Sequence, residues 1–209
     1  AYFAASSHGV GGRFRFLAAR WRNLRSKLRL IRHGILSGRF MLIASEARSP
    51  RQVIMNVEEI LAALTGFPSV VGTPNDAIVG WIADYGRRTG AEVTVLPGPE
   101  GDRSNLLVTA GPRDVPGYVL SGHMDVVPAG EAEWNTDPFR LHKDGGRLHG
   151  RGTTDMKGFL ACALAVLPRL AARGLKQPVH LAFSYDEEAG CRGVTHLLAA
   201  LPGLCAMPV

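Results

Sequence analysis

The chain has 209 residues, 46% of them apolar and 20% charged, which suits one soluble domain with a sizeable core, or one domain plus an appendage. No apolar run approaches the roughly 18 residues of a membrane span. Its three cysteines, Cys162, Cys191 and Cys205, lack C-x-x-C spacing, which excludes a cysteine-based zinc site and a disulfide framework and reads as reduced thiols of a cytoplasmic protein.

The net charge of +6 comes from one end: residues 1–45 hold nine of the 24 Lys and Arg and no acid, leaving the remainder with 15 basic and 18 acidic residues, a net of −3. The arm carries Arg13, Arg15, Arg20, Arg22, Arg25, Lys27, Arg29, Arg32 and Arg39. It fits nucleic-acid or anionic-membrane binding, a transit peptide, or translated upstream sequence without selected function. The last is favoured, because the chain starts at Ala1 while Met41 and Met55 both precede better-organised sequence. We therefore expect residues 1–54 to be a poorly ordered basic extension and residues 55–209 to be the globular part. Neither nucleic acid nor membrane is expected as a partner.

From Asn56 the chain becomes regular. "NVEEILAALTGF" places Val57, Ile60, Leu61 and Leu64 at helical spacing with acids in the first turn. "VVGTPN" is a turn, and Thr73 or Asn75 can cap a second helix, through about Arg88, whose apolar face is Ile78, Val79, Ile82 and Tyr85 and which Gly90 ends. "EVTVL", "NLLVTA" and "GYVLSGH" read as strands. A polar segment with Trp134, Pro138 and Phe139 leads to "DMKGFLACALAVLPRLAARG", a helix that Pro168 should kink. "PVHLAFSY" is then a strand and "GVTHLLAAL" a helix, while "PGLCAMPV" stops without a closing element. Strands alternating with helices predict an α/β layered domain.

Three segments carry the chemistry. In "LSGHMDVVPAG", His123 and Asp125 lie two apart at a strand end and project to one side; this suits a metal-binding imidazole held in one tautomer by the carboxylate behind it, or a satisfied structural histidine. In "GRGTTDMKG", Gly150, Gly152 and Gly158 surround Asp155, which suits either a helix N-cap or a carboxylate bridging two cations. In "AFSYDEEAGC", a strand ends in Asp186, Glu187 and Glu188. Such carboxylates stand in water or face cations, since burying them unpaired costs many kcal/mol. Adjacent side chains diverge, so one can ligate while the other acts as a base toward water. Imidazole plus carboxylates without cysteine suits a catalytic zinc pair, with Co2+ or Mn2+ as possible substitutes. Such clusters at strand ends fall where open α/β sheets build their sites.

"SGHMDVVP", "GRGTTDMKG" and "SYDEEAGC" together resemble the signature segments of the di-zinc amidohydrolases and exopeptidases, in order and in spacing, from about Met55 onward. The resemblance implies a three-layer zinc-peptidase-like catalytic domain with a mixed, mostly parallel sheet. It makes His123 a ligand of the first metal, Asp155 the bridge, Glu188 a ligand of the second, Glu187 the general base and Asp125 the residue that orients His123. The Asp155–Met156 bond resembles one that is cis in the family. "EWNTDPF", "DMKGFLA" and "DEEAGCRG" are similar to the acetylornithine deacetylase branch. That implies hydrolysis of N-acetyl-L-ornithine to ornithine and acetate, in arginine biosynthesis; succinyl-diaminopimelate desuccinylase, a dipeptidase and a catalytically dead fragment are the alternatives.

The family pattern also implies an acidic ligand roughly two dozen positions beyond the Glu pair and a late histidine. Val209 lies 21 residues after Glu188, and His196 sits inside a helical pattern and reads as structural. The expectation is a truncated domain whose lid and dimerisation domain is absent. Such a chain would bind zinc weakly and turn over little alone, as part of a longer, homodimeric enzyme acting on a small N-acyl amino acid.

Overall fold

A computed structural model describes residues 54–130, 132, 134–201 and 205–208; the basic arm lies outside them. Helix α1 (Val57–Thr65) starts at a capping box in which Asn56 and Glu59 each bond the other's backbone N–H. Helix α2 (Asp76–Arg88) begins after Asn75, whose side chain does not cap it but bonds both backbone groups of Ser104. Strands β1 (Glu92–Pro97), β2 (Ser104–Ala110) and β3 (Gly117–His123) follow. Next come β4 (His142–Asp144), β5 (Arg147–His149), α3 (Lys157–Ala171), β6 (Val179–Ser184), α4 (Val194–Ala200) and β7 (Cys205–Pro208). Among the described residues no helix is long and apolar enough to cross a membrane.

The main sheet has the order β1-β2-β6-β3-β7. It is mixed as expected, but parallel pairing accounts for half of its joints rather than most: β1–β2 and β2–β6 are antiparallel, while β3–β6 and β3–β7 are parallel. Central strands β2 and β6 are buried almost throughout, which is why "NLLVTA" and "VHLAFS" read as continuous runs rather than alternations. One face packs Leu106, Val108, Leu181 and Phe183 against Ile60, Leu64, Ile82, Leu160 and Leu164 of α1, α2 and α3. Leu107, Val119 and Ala182, on the other face, meet Leu197 of α4. Each fully buried aliphatic side chain contributes about 1.5–3 kcal/mol, so the three layers are held mainly by this apolar contact.

The structure refines the sequence reading at four points. The C-terminal stretch does contain a closing element, since Cys205–Pro208 pairs with β3 as β7. The polar segment before α3 contains the β4–β5 hairpin, whose Gly145 and Gly146 take the positive φ angles a tight turn needs. Helix α3 runs through Pro168 to Ala171, in keeping with the helix read across that proline, whose missing N–H removes a single backbone bond. Met156, not Asp155, occupies the N-cap position of α3.

Candidate metal centre

Strands β3 and β6 run parallel, with His123 level with Ser184. Their carboxyl ends therefore open at the same edge, and the residues that follow them meet there. His123 closes β3 and Asp125 lies two residues on, both buried at 4% exposure. Glu187 and Glu188 follow β6, and Asp155 sits in the turn that enters α3, the helix connecting the two strands. The Asp155–Met156 peptide bond is cis, and the Met156 sulfur accepts the His123 backbone N–H at 3.3 Å.

All five residues named from the sequence come together. His123 Nε2 lies 3.1 Å from Asp155 Oδ1 and 3.8 Å from Glu187 Oε2. One ligand atom from each of His123, Glu187 and Glu188 falls within 4.8 Å of the others. Asp155 is largely exposed and Glu187 partly so, their side chains at 73% and 41%. A cavity of about 740 Å³ adjoins them, with Asp155 and Glu188 in its wall beside Trp134, Arg147, His149 and Arg151.

Asp125 differs in detail from its expected part. His123 Nδ1 is held by the main-chain carbonyl of Asp125 at 2.9 Å, with the carboxylate at 3.5 Å. That carboxylate also accepts the backbone N–H groups of Glu187 and Glu188, one on each oxygen, both at 3.0 Å. Asp125 thereby ties the β3 end to the β6 end.

The electrostatics favour a cation. Burial works against charge on His123, but hydrogen bonds to Asp125 and Asp155 outweigh it and push the imidazole up to about 9. Burial, then the negative charge of Asp155, pushes the Glu188 carboxyl up. Asp125 is held below the usual carboxylate range; burial opposes this, and the hydrogen bonds from His123 and the two amides prevail. Among the described residues no Lys or Arg pairs with Asp155, Glu187 or Glu188. Three carboxylates thus converge on one imidazole, their only basic partner among the described residues. This donor set fits a hard or borderline dication such as zinc.

Several residues of the neighbourhood have surroundings that the sequence did not signal. Lys157 is fully buried, its Nζ donating to the Phe67 carbonyl at 2.6 Å, and burial pulls it down to about 8. Asp186 and Arg103 form an ion pair at 2.6 Å beneath the Glu pair. Cys191 is exposed with its sulfur 3.6 Å from Glu187 Oε1. His196 lies on the exposed side of α4.

Comparison with known proteins supports the same reading. Residues 119–207 match the peptidase family M20/M25/M40. An acetylornithine deacetylase of Klebsiella pneumoniae (strain 342) is 34% identical over 145 residues, 66% of this chain and 38% of that protein. Human carnosine dipeptidase 1 superposes with a TM-score of 0.58 at 25% identity, over 69% of this chain and 35% of the dipeptidase. The M20 family metallo-carboxypeptidase Sso-CP2 of Sulfolobus solfataricus shares the fold, with a TM-score of 0.65 at 18% identity over 74% of this chain and 37% of its own. The chain spans little more than a third of the length of these relatives. Residues His123, Asp125, Asp155, Glu187 and Glu188 all lie within the segment that matches the peptidase family M20/M25/M40.

Proposed function

We propose that this chain is the metal-holding part of a zinc-dependent hydrolase that cleaves the amide of an N-acyl amino acid, with N-acetyl-L-ornithine as the substrate. The observation that carries the reading is the convergence of His123, Asp155, Glu187 and Glu188 at the mouth of the parallel strand pair, with no Lys or Arg partner among the described residues. The choice of substrate rests on the 34% identity to an acetylornithine deacetylase. A dipeptide substrate is the second reading, favoured by the superposition on carnosine dipeptidase 1. Residues 55–209 as the hydrolase part, a cytoplasmic location and homodimerisation of the whole protein belong to the same proposal.

His123 would hold one ion, Glu188 the other, and Asp155 would stand between them. Bound zinc supplies Lewis acidity that polarises the acyl carbonyl. Glu187, partly exposed beside His123, accepts a proton from the attacking water on a carboxylate oxygen. The water oxygen bonds the acyl carbon, the C–N bond breaks, and Glu187 returns the proton to the departing nitrogen. Asp125 keeps Glu187 and Glu188 in place through their amides.

Zinc is titrated into this chain against a chromophoric chelator, and hydrolysis of N-acetyl-L-ornithine, N-succinyl-diaminopimelate and carnosine is followed for this chain and for the product of the intact gene. The expected result is saturable binding that His123→Ala removes, deacetylation of acetylornithine, and a loss of about 10²-fold or more in Glu187→Gln with zinc retained. Zinc binding indifferent to His123 would sink the metal centre. Preference for carnosine would replace the substrate.

A further inference from the structure

Asp186 stands between Tyr185, buried at the end of β6, and the Glu pair, and it does not face the metal centre. It is 1% exposed. One carboxylate oxygen accepts from Arg103 Nη1 at 2.6 Å and the other accepts the Gly72 backbone N–H at 2.8 Å. The Arg103 side chain, 14% exposed, also donates from Nε to Asp102 Oδ1 at 3.1 Å. Three separate pieces of chain meet at this carboxylate: the segment entering β2, the loop between α1 and α2, and the loop that carries Glu187 and Glu188.

The backbone at Asp186 has φ +50°, a left-handed conformation that non-glycine residues adopt only where the surroundings hold it. Its carbonyl accepts the Arg192 N–H at 3.1 Å, so the turn closes directly over the Glu pair. We propose that the Arg103–Asp186 pair is a clamp that aims Glu187 and Glu188 at the metal, an inference that rests on the metal-centre reading above. A buried carboxylate is tolerated when a charge partner and hydrogen bonds satisfy it, and becomes costly when the partner is removed. Without Arg103, the least costly relief is for the turn to swing Asp186 toward water. That swing pulls the amides of Glu187 and Glu188 off Asp125. Asp125 grips these residues from the β3 side, and Arg103 grips their predecessor, Asp186, from the β2 side. Together the two carboxylates fix the direction of the turn, and Arg103 and Asp186 are positioning residues rather than ligands.

The test compares Arg103→Met, Arg103→Lys and Asp186→Asn with the unaltered chain, reading zinc affinity by chelator competition and amide hydrogen exchange by mass spectrometry. For Arg103→Met the expected result is zinc affinity weakened about 10–100-fold, the usual cost of removing support behind a ligand. Exchange should quicken over residues 185–192 and stay unchanged in α3. Arg103→Lys keeps the charge but loses the planar fork, and should recover most of the affinity. Unaltered zinc affinity and unaltered exchange in Arg103→Met would overturn the clamp. So would faster exchange spread evenly along the chain, which would make the pair a general stabiliser of the fold. If the unaltered chain binds no zinc, the metal-centre reading fails, and local exchange alone decides whether the pair holds the turn. Should Arg103→Met not fold, Arg103→Lys and Asp186→Asn carry the same comparison.

Discussion

Asp125 and Glu188 are joined through backbone rather than through their charges: Oδ2 of Asp125 accepts the Glu188 N–H at 3.0 Å, while Oδ1 accepts that of Glu187 at the same distance. Hydrogen bonds to a charged group are worth about 1.5–3 kcal/mol each. Asp125→Ala should therefore cost on the order of 3 kcal/mol in urea unfolding of the metal-free chain and weaken zinc binding. Asp125→Asn, which keeps one acceptor oxygen, should fall between. Because His123 Nδ1 is held by the Asp125 main-chain carbonyl, neither change should free the imidazole. If Asp125→Ala leaves stability untouched, the carboxylate does not tie the two strand ends.

His123 gives the centre a pH dependence. Its metal-free folded form is pushed up to about 9, from an ordinary value of 6.5, because hydrogen bonds to Asp125 and Asp155 outweigh the burial that opposes charge. A group raised on folding contributes stability that is complete below its unfolded value and is lost as pH climbs through its folded value. The metal-free chain should thus lose stability between about pH 6.5 and 9, and His123→Gln should flatten that decline. Zinc needs the same imidazole deprotonated, so binding should release a proton and tighten as pH rises. Calorimetry in buffers of different ionisation enthalpy reads that proton directly, and a buffer-independent heat would contradict it.

Two glycines make a matched pair of probes. A Cβ on Gly158 would overlap the Thr153 carbonyl in the turn that presents Asp155, whereas one on Gly80, in α2, meets nothing within 4 Å. Gly158→Ala should destabilise by roughly 1–3 kcal/mol, the usual range for overpacking, and weaken zinc binding with it. Gly80→Ala should stabilise by about 0.5–1 kcal/mol by removing a flexible residue from a helix interior. Thermal unfolding of both variants with and without zinc tests the contrast. Equal behaviour would mean that the turn around Asp155 has room to adjust.

The helices and central strands of the sheet could be read from the sequence because each leaves a local trace. Ile60 and Leu64, and Ile78 and Ile82, recur at helical spacing. "LAF" in β6 is an apolar run without alternation because both faces of the strand are covered. His123, Asp155 and the Glu pair stood out because their segments are short and dense in ligand types. Pairings between distant residues left no trace. Arg103 meets Asp186 across 83 positions and Gly72 meets it across 114, and nothing near any of the three announces the others. The three-residue strands β4 and β5 are polar and largely exposed, so they have no apolar period to detect. Strand β7 follows a proline-containing stretch and is defined by its pairing with β3 rather than by its own composition.

The level alignment of His123 with Ser184 has a consequence for how this protein can vary. The backbone ladder between β3 and β6 acts as a ruler: it sets how far the imidazole stands from the glutamates before any side chain chooses a rotamer. One residue inserted in either strand would slide one half of the centre past the other by about 3.3 Å, more than the whole length of a zinc–ligand bond. The stretch between Pro128 and Gly150, which loops out between the end of β3 and the turn before α3, lies off that ruler. Residues can be gained, lost or exchanged there without disturbing the spacing, and Trp134, Arg147 and His149 of that stretch line the cavity beside Asp155. The wall of the cavity can therefore drift along the hairpin while His123 and the Glu pair stay locked to the sheet.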